Sequence, residues 1–96
     1  MVIGICTLEL YLPGMNSLKD KRSVIKSVTA RLNREFNVSA AEVGLNDVWQ
    51  SSTVGVAVVT TAAAHAEQML ENVVSWLERH RPDVEIVDYR IETVHL

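Results

Sequence analysis

The sequence predicts an α+β fold in which two helices cover one face of a four-stranded antiparallel sheet. Two observations carry this. The hydrophobic pattern changes period in the order strand, helix, strand, strand, helix, strand, and no linker, repeat or low-complexity tract interrupts it. The composition also suits one packed core: of 96 residues, 48% are hydrophobic and 22% charged, unlike the apolar-poor chains that stay disordered. One domain over residues 1–96 is expected.

Residues 2–12 are dense in Val, Ile, Leu and Tyr and predict a strand that Pro13-Gly14 ends. Ser17, with Asp20 three residues on, supplies the oxygen and the acid that suit a helix start. Leu18, Val24, Ile25, Val28, Leu32 and Phe36 then form one helical stripe, and Asn37 suits a left-handed stop. Residues 38–45 and 53–60 predict a hairpin whose loop carries Trp49. Thr61 is placed to cap a second helix running to about His80, with Ala66, Met69, Leu70, Val73, Trp76 and Leu77 on its apolar stripe. Pro82-Asp83 closes it, and residues 84–94 form the last strand.

This is the order of the ferredoxin-like βαββαβ fold. Right-handed crossovers put both helices on one face and leave the other uncovered. Alternation assigns Gly4, Cys6, Leu8 and Leu10 to the helix side, and Ile3, Ile5, Thr7, Glu9 and Tyr11 to the open side. Val54, Val56 and Val58 point inward, which leaves Thr53, Gly55, Ala57 and Val59 outward. An open face this apolar predicts a covering partner, either a second copy in a homo-oligomer or another protein. Ile3, Ile5, Tyr11 and Trp49 are the candidate residues of that surface.

The net charge of −3 hides an uneven layout. Lys19, Lys21, Arg22, Lys26, Arg31 and Arg34 are six of the nine bases, and residues 17–36 hold only Asp20 and Glu35 against them. That segment carries +4 and the remainder −7. At about 100° per residue, Lys19, Arg22 and Lys26 fall within about 60° of one another, while Lys21 points close to the apolar stripe. Three readings stay open: an anion-facing strip meeting RNA phosphate through Lys19, Lys21, Arg22 and Lys26; a solvated face with Lys21 snorkelling; or pairing with Glu67, Glu71 and Glu78 of the second helix.

The usual devices of RNA-binding relatives of this fold are missing. The third strand has no aromatic residue to stack bases, only Tyr11 near the end of the first strand, and no glycine pair has the spacing of a KH loop. An acylphosphatase-like anion loop is a poor match, since residues 12–17 hold one glycine and no arginine. Cys6 falls on the inward side and is expected to be a buried, inert thiol. His65, His80 and His95 lack metal-ligand spacing, and His80 suits a helix C-terminus. No catalytic residue, metal or cofactor is expected. Nor is a membrane segment, since Glu9 breaks the apolar start; the expected location is the cytoplasm.

Leu8-Glu9-Leu10-Tyr11-Leu12-Pro13, Ser17-Leu18-Lys19-Asp20-Lys21-Arg22, Val24-Ile25-Lys26-Ser27, Phe36-Asn37-Val38-Ser39-Ala40-Ala41-Glu42-Val43 and Asp47-Val48-Trp49-Gln50 resemble the small bacterial YlxP-like family. His65-Ala66-Glu67 and Val84-Glu85-Ile86-Val87 match in pattern. Many members have Glu at Asp20, a swap that keeps the charge and the cap. The resemblance spans nearly the full length. It implies a ferredoxin-like fold and a genomic setting beside translation-initiation and ribosome-assembly genes, with no established catalytic residue or cofactor. That setting favours an RNA or ribosome partner for the basic helix. The alternative is a protein-interaction module using the open sheet and the Trp49 loop, without nucleic acid.

Overall fold

A computed structural model describes residues 1–96. The elements are β1 (Val2–Tyr11), α1 (Leu18–Glu35), β2 (Ser39–Gly44), β3 (Ser51–Thr60), α2 (Ala63–His80) and β4 (Glu85–His95). The strands pair antiparallel in the order β2-β3-β1-β4, the arrangement expected from the sequence. No helix is long and apolar enough to cross a membrane.

Burial alternates along β1 and β3 as the sequence predicts. Cys6, Leu8, Leu10, Val54, Val56 and Val58 meet Ile25, Val28 and Leu32 of α1 and Ala66, Leu70, Val73 and Leu77 of α2 in one core. Gly4 makes the approach of α2 to the sheet feasible. A Cβ at this position would lie 2.8 Å from the Ala66 Cβ and 3.0 Å from side-chain atoms of Leu70 and Val58. Gly14, at φ +79, makes the tight turn after β1, a backbone conformation that costs other residues energy.

Local chemistry sets the boundaries, and several differ from expectation. The Ser17 hydroxyl accepts from the Asp20 amide at 3.1 Å, as its position predicts. Thr61 does not cap α2; the cap position is Ala62, which has no side-chain bond to give. α1 ends at Glu35, and Phe36 is already extended, with its amide donating to the Leu32 carbonyl. Asn37 therefore makes no left-handed stop. The one non-glycine residue with positive φ is Leu45, at 58°, just past β2.

The helices run antiparallel but are offset. Arg81, one residue past α2, donates to the Ser27 hydroxyl at 2.9 Å, halfway along α1. It also grips Asp83 through two bonds of 2.9 and 2.7 Å, which hold the Asp83 carboxyl below its usual range. The turns of α1 before Ser27 thus extend beyond the end of α2. Farther along, Arg31 lies over the Trp76 ring (5.1 Å), and Trp76 stacks on His80 at 4.9 Å.

The open face is less uniformly apolar than expected. Register puts Ile3 between Val59 and Val94, and Ile5 between Ala57 and Glu92. At the other end Glu9 lies between Thr53 and Asp88, and Tyr11 between Ser51 and Glu85. Exposed valines lie at the Ile3 end, at Val59 and Val94, and again toward the other end at Val43, which stands against the open-face side of Gly55. Replacing Gly4 with alanine is expected to cost about 1–3 kcal/mol, because the added methyl overpacks the α2 contact. Urea unfolding of Gly4→Ala checks this.

Candidate nucleic-acid interface

Chain direction gathers several candidate residues at one place. β1 ends at Tyr11 opposite Ser51, the first residue of β3. The loop of residues 45–50, which carries Trp49, therefore lies at the Tyr11 end of the sheet. A short turn after β1 places the start of α1 there as well. Lys19, Arg22, Tyr11 and Trp49 share this end, with Lys26 about one turn farther along the helix. Ile3 lies toward the opposite end and Ile5 near the middle, so the expected partner surface of Ile3, Ile5, Tyr11 and Trp49 divides into two separate regions.

Lys21 does not belong to the exposed strip. Its side chain has no solvent exposure, and it occupies the apolar stripe one turn before Ile25. Its ammonium sits 2.9 Å from a Glu42 carboxylate oxygen and donates to the Leu45 carbonyl. The same Glu42 oxygen accepts from the buried Ser52 hydroxyl at 2.6 Å. An ammonium taken out of water needs such partners, since burying an unpaired charge is far costlier than burying an apolar group. The expectation that Lys21 meets RNA phosphate is corrected: its charge is spent inside the protein. The signal was present, because the stripe of Ile25, Val28 and Leu32, extended back by four, lands on Lys21.

The Leu45 contact explains the left-handed residue. At φ 58 the Leu45 carbonyl receives both the Lys21 ammonium and the Val48 amide, the latter at 3.0 Å. Gln50 closes the loop from the other side by accepting from the Leu12 amide at 2.8 Å. The loop is thus held at both ends, and Trp49 between them remains 50% exposed. It does not fold back to bury itself against the sheet end.

Lys19, Arg22 and Lys26 are exposed. Arg22 reaches Asp47 of the loop at 3.8 Å, a pair largely in solvent and so of small energetic weight. Lys19 and Lys26 form no ion pair. The pairing with Glu67, Glu71 and Glu78 of α2, one of the three open readings, does not occur: Glu67 and Glu71 line a groove with Ile91 of β4 and Glu78 lies beside Glu85 and Ile86, whereas the side of α2 that meets α1 carries Trp76. Glu71 instead accepts from the Tyr89 hydroxyl of β4 at 3.1 Å, which raises the Tyr89 pKa.

The other candidate groups are internal. Burial, and then the charge of Glu71, push the Cys6 thiol up to about 11. His80 contacts the Trp76 carbonyl through Nδ1 at 3.1 Å, as a residue at a helix C-terminus does. No three His, Cys, Asp or Glu side chains are grouped to hold a metal ion. A groove lined by Ala64, Glu67, Gln68, Glu71 and Ile91 runs between α2 and β4, on the side of the sheet away from β2.

Residues 3–91 match the family described as "Protein of unknown function (DUF503)". The chain belongs to this family. Among DUF503-like proteins it is similar to the "Uncharacterized protein YlxP" of Bacillus subtilis (strain 168), 33% identical over 91 residues, which cover 95% of this chain and 98% of that protein. The match includes β1, both helices and the hairpin with its Trp49 loop, so the end of the molecule described above lies inside the DUF503 region.

Lys21→Met leaves the Glu42 carboxylate without its cation and is expected to destabilise the fold by about 3 kcal/mol. Adding Glu42→Leu should recover at least half of that loss in equilibrium unfolding. Cys6 should resist alkylation in the native protein at neutral pH and react at the rate of unfolding, since its proton is held to about pH 11.

Proposed function

We propose that this protein is a non-enzymatic accessory factor of ribosome biogenesis or translation, acting in the cytoplasm and contacting RNA phosphate through Lys19, Arg22 and Lys26. The observation that supports it is the basic strip itself. These three exposed side chains share one face of α1, no acid of α2 reaches them, and only Arg22 has a partner, at 3.8 Å. Phosphate neutralisation is the chemistry such a strip performs best. The genomic setting implied by the YlxP-like resemblance points to the same class of partner. Lys21 supports the strip from within rather than by contact.

The acidic remainder of the chain narrows the mode of binding. Apart from residues 17–36 the chain carries −7, so contact is confined to the strip and few phosphates are met. Three contacts to a single strand give a log–log salt slope of about −2, or roughly twentyfold weaker binding when salt is quadrupled. The protein is expected to co-sediment with a ribosomal subunit or its precursor at low salt and to leave it as salt rises. The triple variant Lys19→Glu, Arg22→Glu, Lys26→Glu should lose that sedimentation, with stability changed by no more than about 0.5 kcal/mol per exposed site. Unchanged sedimentation of the variant would refute the role given to the strip.

The cross-strand row Val59–Ile3–Val94, beside Ala57 and Ile5, favours a second reading in which the open sheet binds protein, most simply another copy of this chain. That reading expects Ile5→Lys to lower the mass found by light scattering. A monomeric mass for the unmodified protein at high concentration would rule out the homo-oligomer.

A further inference from the structure

We propose that the Tyr11 end of the molecule takes single-stranded rather than duplex RNA, with Trp49 stacking on one unpaired base while Arg22 and Lys19 hold neighbouring phosphates. This rests on the phosphate-binding role given above to the strip and adds the class of RNA it selects. Four features support it. Trp49 is half exposed in the loop between β2 and β3. The loop is pre-set, its Leu45 carbonyl bonded by Lys21 and Val48 and its Gln50 carbonyl by Leu12, so little ordering remains to be done when a ligand arrives. Arg22 contacts Asp47 of the same loop, which places a guanidinium beside the indole's own segment. Trp76 offers no alternative, since it is packed between Arg31, His80 and Phe36.

A single aromatic ring on a loop can stack only on a base whose face is free. In a duplex those faces are covered, and the phosphates would reach the strip without engaging the ring. Asp47 then has a defined part. It stands 3.8 Å from Arg22, and its carboxylate, 90% exposed, repels a phosphate that approaches that guanidinium.

The test is titration of the purified chain with a short oligouridine and with a duplex RNA of equal length, following both affinity and tryptophan emission. Expected are quenching by the single strand alone, and binding about tenfold weaker in Trp49→Ala. Trp49→Phe keeps a stacking ring and should recover most of that affinity while losing the quench. Asp47→Asn should bind several-fold more tightly, which a purely structural loop would not do. Equal binding of both RNAs with unchanged emission, or a Trp49→Phe variant as weak as Trp49→Ala, would overturn the stacking role and leave the basic strip standing. Absence of binding to either RNA would overturn both.

Discussion

A lysine ammonium without access to water has to be satisfied inside the protein, and one end of this molecule is organised around how Lys21 is satisfied. Its two oxygen partners come from β2 and from the loop that follows: the Glu42 carboxylate and the Leu45 carbonyl. Such a network adds little net stability compared with an apolar replacement. Its effect is to specify position. The ammonium of α1 fixes where β2 ends, which way the Leu45 carbonyl points, and hence where the loop carrying Trp49 stands beside Lys19 and Arg22.

The orientation of α2 about its own axis is the second constraint, and it decides the electrostatics. Trp76 of α2 meets Arg31 and Phe36 on the α1 side, while Glu67 and Glu71 face Ile91 and Tyr89 of β4 and Glu78 lies beside Glu85 and Ile86. The basic strip is therefore left to solvent. The close seating of α2 on Gly4, where no side chain intervenes, and the stack of Arg31, Trp76 and His80 maintain this arrangement.

Period, turn residues and capping chemistry made the fold legible in the sequence, because each reports on the backbone locally. The alternation of β1 and β3 assigns Cys6, Leu8, Leu10, Val54, Val56 and Val58 to the core correctly, and extending it one step at each strand's start reaches the buried Val2 and Ser52 as well. Where the outcome depended on tertiary packing, local signals misled. Asn37 has a residue type suited to a helix stop, yet Phe36 is extended because it must run directly into β2. Thr61 has a capping hydroxyl, but α2 starts one residue later than that hydroxyl could serve. Lys21 was counted with the other bases because charge is read from residue type, while its burial depends on Glu42, which lies on another element. Pairing of α1 bases with α2 acids, one of three readings the sequence leaves open, depends on which side of α2 meets α1; that side carries Trp76, and the acids face β4.

The central claim is that Lys21 positions the Trp49 loop, and amide hydrogen exchange tests it most directly in a Lys21→Met, Glu42→Leu protein, where the buried charges are removed together. The amides of Val48 and Leu12, bonded to the Leu45 and Gln50 carbonyls, are expected to exchange faster than in the parent, while the central amides of β1 and β3 keep their protection. Parent-like protection at Val48 and Leu12 in that variant would contradict it.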